Sequence, residues 1–153
     1  MVAAAHVRDE MSKKALTVRP DDHLYHAFAL MRRTGFRHLP VVADGEIVGM
    51  LSDRDIFRHG CVRNDELVVG FRRVVDAMSK GIWTCKVGDR LGDIAEEMVR
   101  RHIDALPVVD AQNHLIGIIT STDLLKYLRR HEGVLDAAAL TAARVENDDS
   151  EHH

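Results

Sequence analysis

The sequence predicts a mixed α/β fold of two pseudo-twofold-related β-α-β-β-α repeats packed through their sheets, and three observations carry that prediction. The segment Val7-x-Asp9-x-Met11-Ser12-Lys13 returns sixty-seven residues later as Val74-x-Asp76-x-Met78-Ser79-Lys80, and from residue 7 to 42 the two copies share fourteen identities in thirty-six positions. One extra residue in the second copy's turn then shifts the offset, so that Gly49-Met50-Leu51-Ser52-x-x-Asp55 falls on Gly117-Ile118-Ile119-Thr120-x-x-Asp123. Finally, each copy passes from a helical apolar period to two short β-rich runs. A solenoid needs about three units to bury a continuous core, so two copies point to a closed pair whose halves cover each other.

Each unit opens on a short strand around Thr17 or Thr84. Apolar residues then recur at i, i+3, i+4 and i+7, as Leu24, Ala27, Phe28 and Met31 in the first copy and Leu91, Ile94, Ala95 and Met98 in the second. That spacing predicts an amphipathic helix with one buried stripe. Asp21 or Asp22 is the expected cap of the first helix and Asp89 of the second, because a short carboxylate satisfies the free N–H groups of an opening turn. Two apolar runs follow, Leu39-Pro-Val-Val and Ile47-Val-Gly-Met-Leu, separated by Ala43-Asp44-Gly45-Glu46, and Asp-Gly between such runs is a hairpin signal. The second copy repeats this with Leu106-Pro-Val-Val and Leu115-Ile-Gly-Ile-Ile around Asp110 to His114. A further helix starts near Ser52 or Thr120, with Ile56 and Phe57, or Leu124, Leu125 and Leu128, expected to face inward. The divisions are thus repeat 1 at 7–60, a connector at 61–73, repeat 2 at 74–131 and a C-terminal helix and tail at 132–153. Leu67-Val68-Val69 and Phe71 suggest a packed connector more than a free linker. The Ala-rich 134–145 is expected to be helical and the polar 146–153 to fray, with His152-His153 read as the remnant of a purification tag.

At 153 residues and 46% hydrophobic content the chain can bury one sizeable core, and a net charge of -3 argues against nucleic acid as a partner. Cys61 and Cys85 form no CxxC pair, and the N-terminus lacks a signal-peptide pattern, which predicts a cytoplasmic protein with reduced thiols. No apolar run is long enough to cross a membrane. His23 and His26, and likewise His59 and Cys61, read as solvated surface, so no metal site is expected. Met31, Met98 and Phe28 read as core or dimer contacts, Trp83 as one that could also touch a ligand. No Ser-His-Asp or Cys-His arrangement recurs with a nucleophile turn, and no catalytic residue is assigned.

The repeated Gly-h-h-[Ser/Thr]-x-x-Asp, with h apolar, admits two readings. Ser52-x-x-Asp55 and Thr120-x-x-Asp123 have the spacing of a capping box, which needs no ligand to explain it. Equally, a helix opening with a hydroxyl and free N–H groups after a strand suits a phosphate, and a carboxylate beside it can accept hydrogen bonds from both hydroxyls of a ribose.

Taken together, Met-Ser at the start, a Thr on the first strand, the amphipathic helix, Leu-Pro-Val-Val, the hairpin and Gly-h-h-[Ser/Thr]-x-x-Asp resemble the CBS domain, named for cystathionine β-synthase. Two in tandem, over residues 7 to 131, look like a CBS pair or Bateman module. The resemblance implies a stand-alone, non-enzymatic regulatory module. It would bind AMP, ADP, ATP, NAD or S-adenosylmethionine between its repeats, with magnesium at most accompanying the phosphates, and signal to a partner protein. It also implies a homodimer formed by stacking amphipathic helices. Carried over, the ribose-binding acids fall on Asp55 and Asp123 and the phosphate-facing hydroxyls on Ser52 and Thr120, with Arg54 and Thr122 beside them. The base pocket maps to Leu16, Thr17 and Val18 and to Trp83, Thr84 and Cys85. Arg37, His38, Leu39 and Pro40 are the residues expected to approach the phosphates. Their counterparts are Asp104, Ala105, Leu106 and Pro107, so the second copy lacks this arm and Arg37 would serve it across the cleft. The alternative is a structural or dimerisation module with no ligand, in which the Ser/Thr-x-x-Asp elements are only caps. An enzyme acting on nucleotides is a further alternative.

Overall fold

The computed structural model describes residues 4–133. The helix expected at 134–145, the fraying tail and His152-His153 lie outside the described residues. The order is α1 (Val7–Glu10), α2 (Leu24–Thr34), β1 (His38–Ala43), β2 (Glu46–Ser52), α3 (Asp53–His59), β3 (Cys61–Arg63), β4 (Glu66–Val68), α4 (Val74–Ala77), α5 (Leu91–Arg101), β5 (Ala105–Val109) and β6 (Leu115–Thr120). A last helix, α6, runs from 121 to 133.

The first-strand expectation is corrected. Residues around Thr17 and Thr84 form no strand; each segment makes one parallel bridge, Val18 to Val41 and Cys85 to Val108. Val18 N–H donates to the Pro40 carbonyl and Val42 N–H to the Val18 carbonyl, and Cys85 repeats both bonds with Pro107 and Val109. The hairpins β1-β2 and β5-β6 form as predicted, each with a register shift inside the Val-Val pair. The connector folds as a third hairpin, β3-β4, turning on Asn64 and Asp65 with φ of 50° and 62°. Such a turn needs positive φ at both central residues, and Asn and Asp tolerate it better than most.

The opposite edge of each main hairpin is filled from the other repeat. Ser79 exchanges two backbone hydrogen bonds with Met50 on β2, at 2.9 and 3.1 Å, and Ser12 exchanges two with Ile118 on β6, at 2.9 and 3.0 Å. The recurring glycine of the motif makes this approach possible. A Cβ on Gly49 would sit 2.7 Å from Met78 Sδ and 2.9 Å from the Ser79 carbonyl oxygen; one on Gly117 would strike Met11 Cε and lie 2.5 Å from the Ser12 carbonyl oxygen. The short helices cross over as well. Val74 and Ala77 of α4 lie in the core with Leu24, Leu39, Leu51 and Ile56, while Val7 of α1 lies in the core with Leu91, Leu106 and Ile119. Arg130 on α6 pairs with Glu10 on α1. The packing units are therefore offset from the sequence repeats, since each core is closed by the leading segment of the other copy.

Two further expectations are corrected. The caps of α2 and α5 are His23 and Arg90, without side-chain hydrogen bonds. Asp22 and Asp89 instead accept from the N–H of Arg19 and Lys86, at 2.8 Å each, and close the preceding turn. The inward set of the later helices is also narrower than the apolar pattern suggests. Ile56 is fully buried and Leu124 packs on the second core, yet Phe57, Leu125 and Leu128 are exposed.

Candidate functional site

Both helix starts form the predicted capping box. Ser52 N–H and Oγ–H donate to Asp55 Oδ2 at 2.8 Å each, and Asp55 N–H donates back to Ser52 Oγ at 3.2 Å. Thr120 N–H and Oγ1–H donate to Asp123 Oδ2 at 2.8 and 2.9 Å, with the return bond at 3.4 Å. In each case Oδ2 holds the helix while Oδ1 is left over; Asp55 Oδ1 is only 4.0 Å from the Arg58 guanidinium. The hydroxyl hydrogens are spent inside the box, so a ligand would meet these oxygens as acceptors.

Two clefts lie between the halves. The smaller, about 320 Å³, sets Ser52, Arg54 and Asp55 of repeat 1 opposite Trp83, Ala105, Leu106 and Pro107 of repeat 2. The larger, about 640 Å³, sets Thr120, Thr122 and Asp123 of repeat 2 opposite Leu16 and Pro40 of repeat 1. Each acid thus shares its cleft with one predicted base-pocket residue of the other copy, Asp55 with Trp83 and Asp123 with Leu16. Arg37, His38, Arg54 and Asp104 line both clefts and form the wall between them. Thr17, Val18, Leu39, Thr84 and Cys85 line neither. Val18, Leu39 and Cys85 are core residues, and burial, with the Asp89 carboxylate adding, pushes the Cys85 thiol up to about 12.

The backbone on either side of the dividing wall is repeated, but its side chains are not. Asp53 N–H donates to the Arg37 carbonyl at 3.0 Å and Ser121 N–H to the Asp104 carbonyl at 2.9 Å. In repeat 1 these positions also carry an ion pair, Arg37 Nε to Asp53 Oδ2 at 3.1 Å. Asp104 and Ser121 offer no such pair. Burial holds the His38 imidazole below its usual pKa, outweighing the opposite pull of Asp104 and Asp53. Trp83 is half exposed in the smaller cleft, with the Arg101 guanidinium 3.4 Å above its ring centre.

Several lining residues were not picked out by sequence: Lys14, Phe36 and Lys126 in the larger cleft, and Lys80, Ile82, His102 and Ile103 in the smaller. Lys80 had a usable signal, since it stands in the repeated Met-Ser-Lys. Among the described residues there is no cluster of three or more His, Cys, Asp or Glu that could hold a metal, and no helix long and apolar enough to cross a membrane.

The CBS-domain family profile matches residues 6–60 and 74–130. The chain belongs to the CBS-domain family. It is similar to the protein MJ1225 of Methanocaldococcus jannaschii, at 35% identity over 79% of this chain and 46% of that protein, so it spans about half of that relative's length. The crystal structure of MJ1225 superposes with a TM-score of 0.70 over 82% of this chain and 48% of the other. Two CBS structures at 23% identity share the fold: the CBS pair of MJ0100 in complex with 5′-methylthioadenosine and S-adenosyl-L-methionine, with a TM-score of 0.72 over 82% of this chain and 97% of the other, and CBSX2 in complex with AMP, with a TM-score of 0.71 over the same shares. The fold here is accordingly that of a CBS pair.

Proposed function

We propose that this CBS pair is a non-enzymatic sensor. It binds an adenosyl ligand, from among AMP, ADP, ATP, NAD and S-adenosylmethionine, in the clefts between its repeats and passes their occupancy to a partner protein. The observation that carries the reading is the placement of Asp55 and Asp123. Each is fixed on a cleft wall by capping bonds through one oxygen, with the other oxygen left to receive ribose hydroxyls. The adenosyl ligands of MJ0100 and CBSX2 support the same class of compound. The protein works in the cytoplasm as a homodimer; exposed Phe57 on α3 and Leu125 and Leu128 on α6 supply apolar helical surface for that contact, and a scattering mass of one chain would refute it.

A ligand that binds only the folded pair stabilises it by mass action. At a hundred times its dissociation constant the gain is about 2.7 kcal/mol, and at about 2–4 °C per kcal/mol the melting temperature rises by about 5–11 °C. The melt is compared across the five adenosyl compounds, with and without magnesium, with GTP as control. The satisfied capping boxes favour a second reading, a purely structural module, and the absence of any adenosyl-specific shift at millimolar concentration would decide for it.

A further inference from the structure

Resting on that reading, we propose that the two clefts take unlike ligands: the larger a phosphorylated adenosyl nucleotide, the smaller an adenosyl compound without phosphate. Both offer the same ribose acceptor, so selection falls to the remaining walls. In the larger cleft Lys14, Arg37, Arg54 and Lys126 stand against only Asp104 and Asp123. Lys14 comes from repeat 1 and Lys126 from α6, so positive charge approaches from both sides. Among the described residues Lys14, Arg54 and Lys126 make no ion pair.

In the smaller cleft Arg37, Arg54 and Lys80 meet an equal number of acids, Asp53, Asp55 and Asp104. Arg37 donates to Asp53 and is committed in either cleft, which leaves the larger with Lys14, Arg54 and Lys126 and the smaller with only Arg54 and Lys80. A phosphate placed there would have to draw Arg37 away and then face the Asp53 carboxylate, a like charge at close range. Size agrees with charge. Small-molecule pockets run from about 300 to 1,000 Å³; the smaller cleft, at about 320 Å³, sits at the lower end, and the larger has twice that space. Ile82, Trp83, Ile103 and Leu106 give the smaller cleft an apolar side that suits a thioether or alkyl group at the ribose 5′ position.

Calorimetry on the full chain with ADP and 5′-methylthioadenosine as probes tests the partition. Each probe should bind one site, and saturation with one should leave the other's affinity in place. Loss of charge-assisted contacts should weaken ADP about tenfold or more in the Lys14→Gln, Lys126→Gln double variant, with methylthioadenosine changed less than twofold. Asp55→Asn should reverse that pattern. Melting of the unliganded variants verifies folding, and the two lysines, both exposed, keep the test alive if Asp55→Asn is unstable. Mutual displacement of the probes, or equal weakening of both by the lysine variant, would overturn the partition while leaving adenosyl binding in place. Failure of both probes to bind at millimolar concentration would overturn the sensor reading together with it.

Discussion

The two repeats keep one backbone and diverge in charge. Gly49 and Gly117 admit the same crossing Met-Ser segment, Ser52 and Thr120 start their helices with the same reciprocal bonds, and Arg37 and Asp104 accept the same backbone N–H. The side chains at the dividing wall share nothing, with Arg37-His38 against Asp104-Ala105 and Asp53-Arg54 against Ser121-Thr122. The difference shows which constraints are steric. A Cβ cannot enter where another backbone passes, and a helix start must satisfy its N–H groups, so those positions recur; a cleft wall tolerates either sign of charge.

That contrast can be tested most sharply at the crossing glycines. Gly117→Ala should destabilise by about 3 kcal/mol, since a Cβ there meets a backbone oxygen as well as a methyl group, and Gly49→Ala by about 2 kcal/mol, where the opposing oxygen stands farther away. Chemical denaturation measures both, and losses below about 0.5 kcal/mol would show that the crossing segments are held loosely.

A smaller effect is expected where the long helices end. Both α2 and α5 close on a left-handed residue, Gly35 at φ 77° and His102 at φ 55°. Glycine takes that conformation freely and other residues do so at a cost of about 1 kcal/mol. Gly35→Ala should therefore lower stability by about 1 kcal/mol. His102→Gly should raise it by about 0.5 kcal/mol, part of the relief being offset by a freer unfolded chain. A gain from Gly35→Ala would contradict the assigned geometry.

The smallest effect concerns His38, which repeat 2 replaces with Ala105. Its folded pKa lies below the usual 6.5 because burial disfavours the imidazolium. Between the two values the unfolded chain binds more protons, so stability rises with pH across that window, and the part tied to His38 is lost as pH falls below 6.5. Melting curves from pH 7.5 to 5.0 should fall less steeply for His38→Gln than for the parent chain. Parallel curves would mean that the dividing wall accepts the charged ring.

The repeat, the long helices, the main hairpins and the capping boxes were legible because each leaves a periodic or fixed-spacing signal. The exchange of leading segments was not. Met-Ser-Lys recurs visibly, yet nothing in its composition says which hairpin it joins, and a single bridge such as Ser12 to Ile118 leaves no alternation to read. Asp22 and Asp89 stand one residue before the caps, and an acid closing a turn looks like an acid capping a helix in sequence. Phe57, Leu125 and Leu128 extend the apolar pattern around their helices, so periodicity alone could not separate the core face from the exposed one. Lys14 and Lys126 stand in no repeated motif, and only the fold brings them to one cleft.

The crossing also governs the order in which the molecule can assemble. Ser12 finds its partner Ile118 more than a hundred residues downstream, and Val7 belongs to a core made mostly from the last third of the described chain. Long-range closures must meet their entropy before their contacts reward it, which slows folding. During synthesis the first hairpin can pair with Ser79 before β6 is made, although its Ile47 N–H still awaits the Asn113 carbonyl, whereas Ser12 stays unpaired until β6 has left the ribosome. The first core therefore sets early and the second last, and a nascent chain halted before Ile118 presents Val7 and Met11 to whatever chaperone is near.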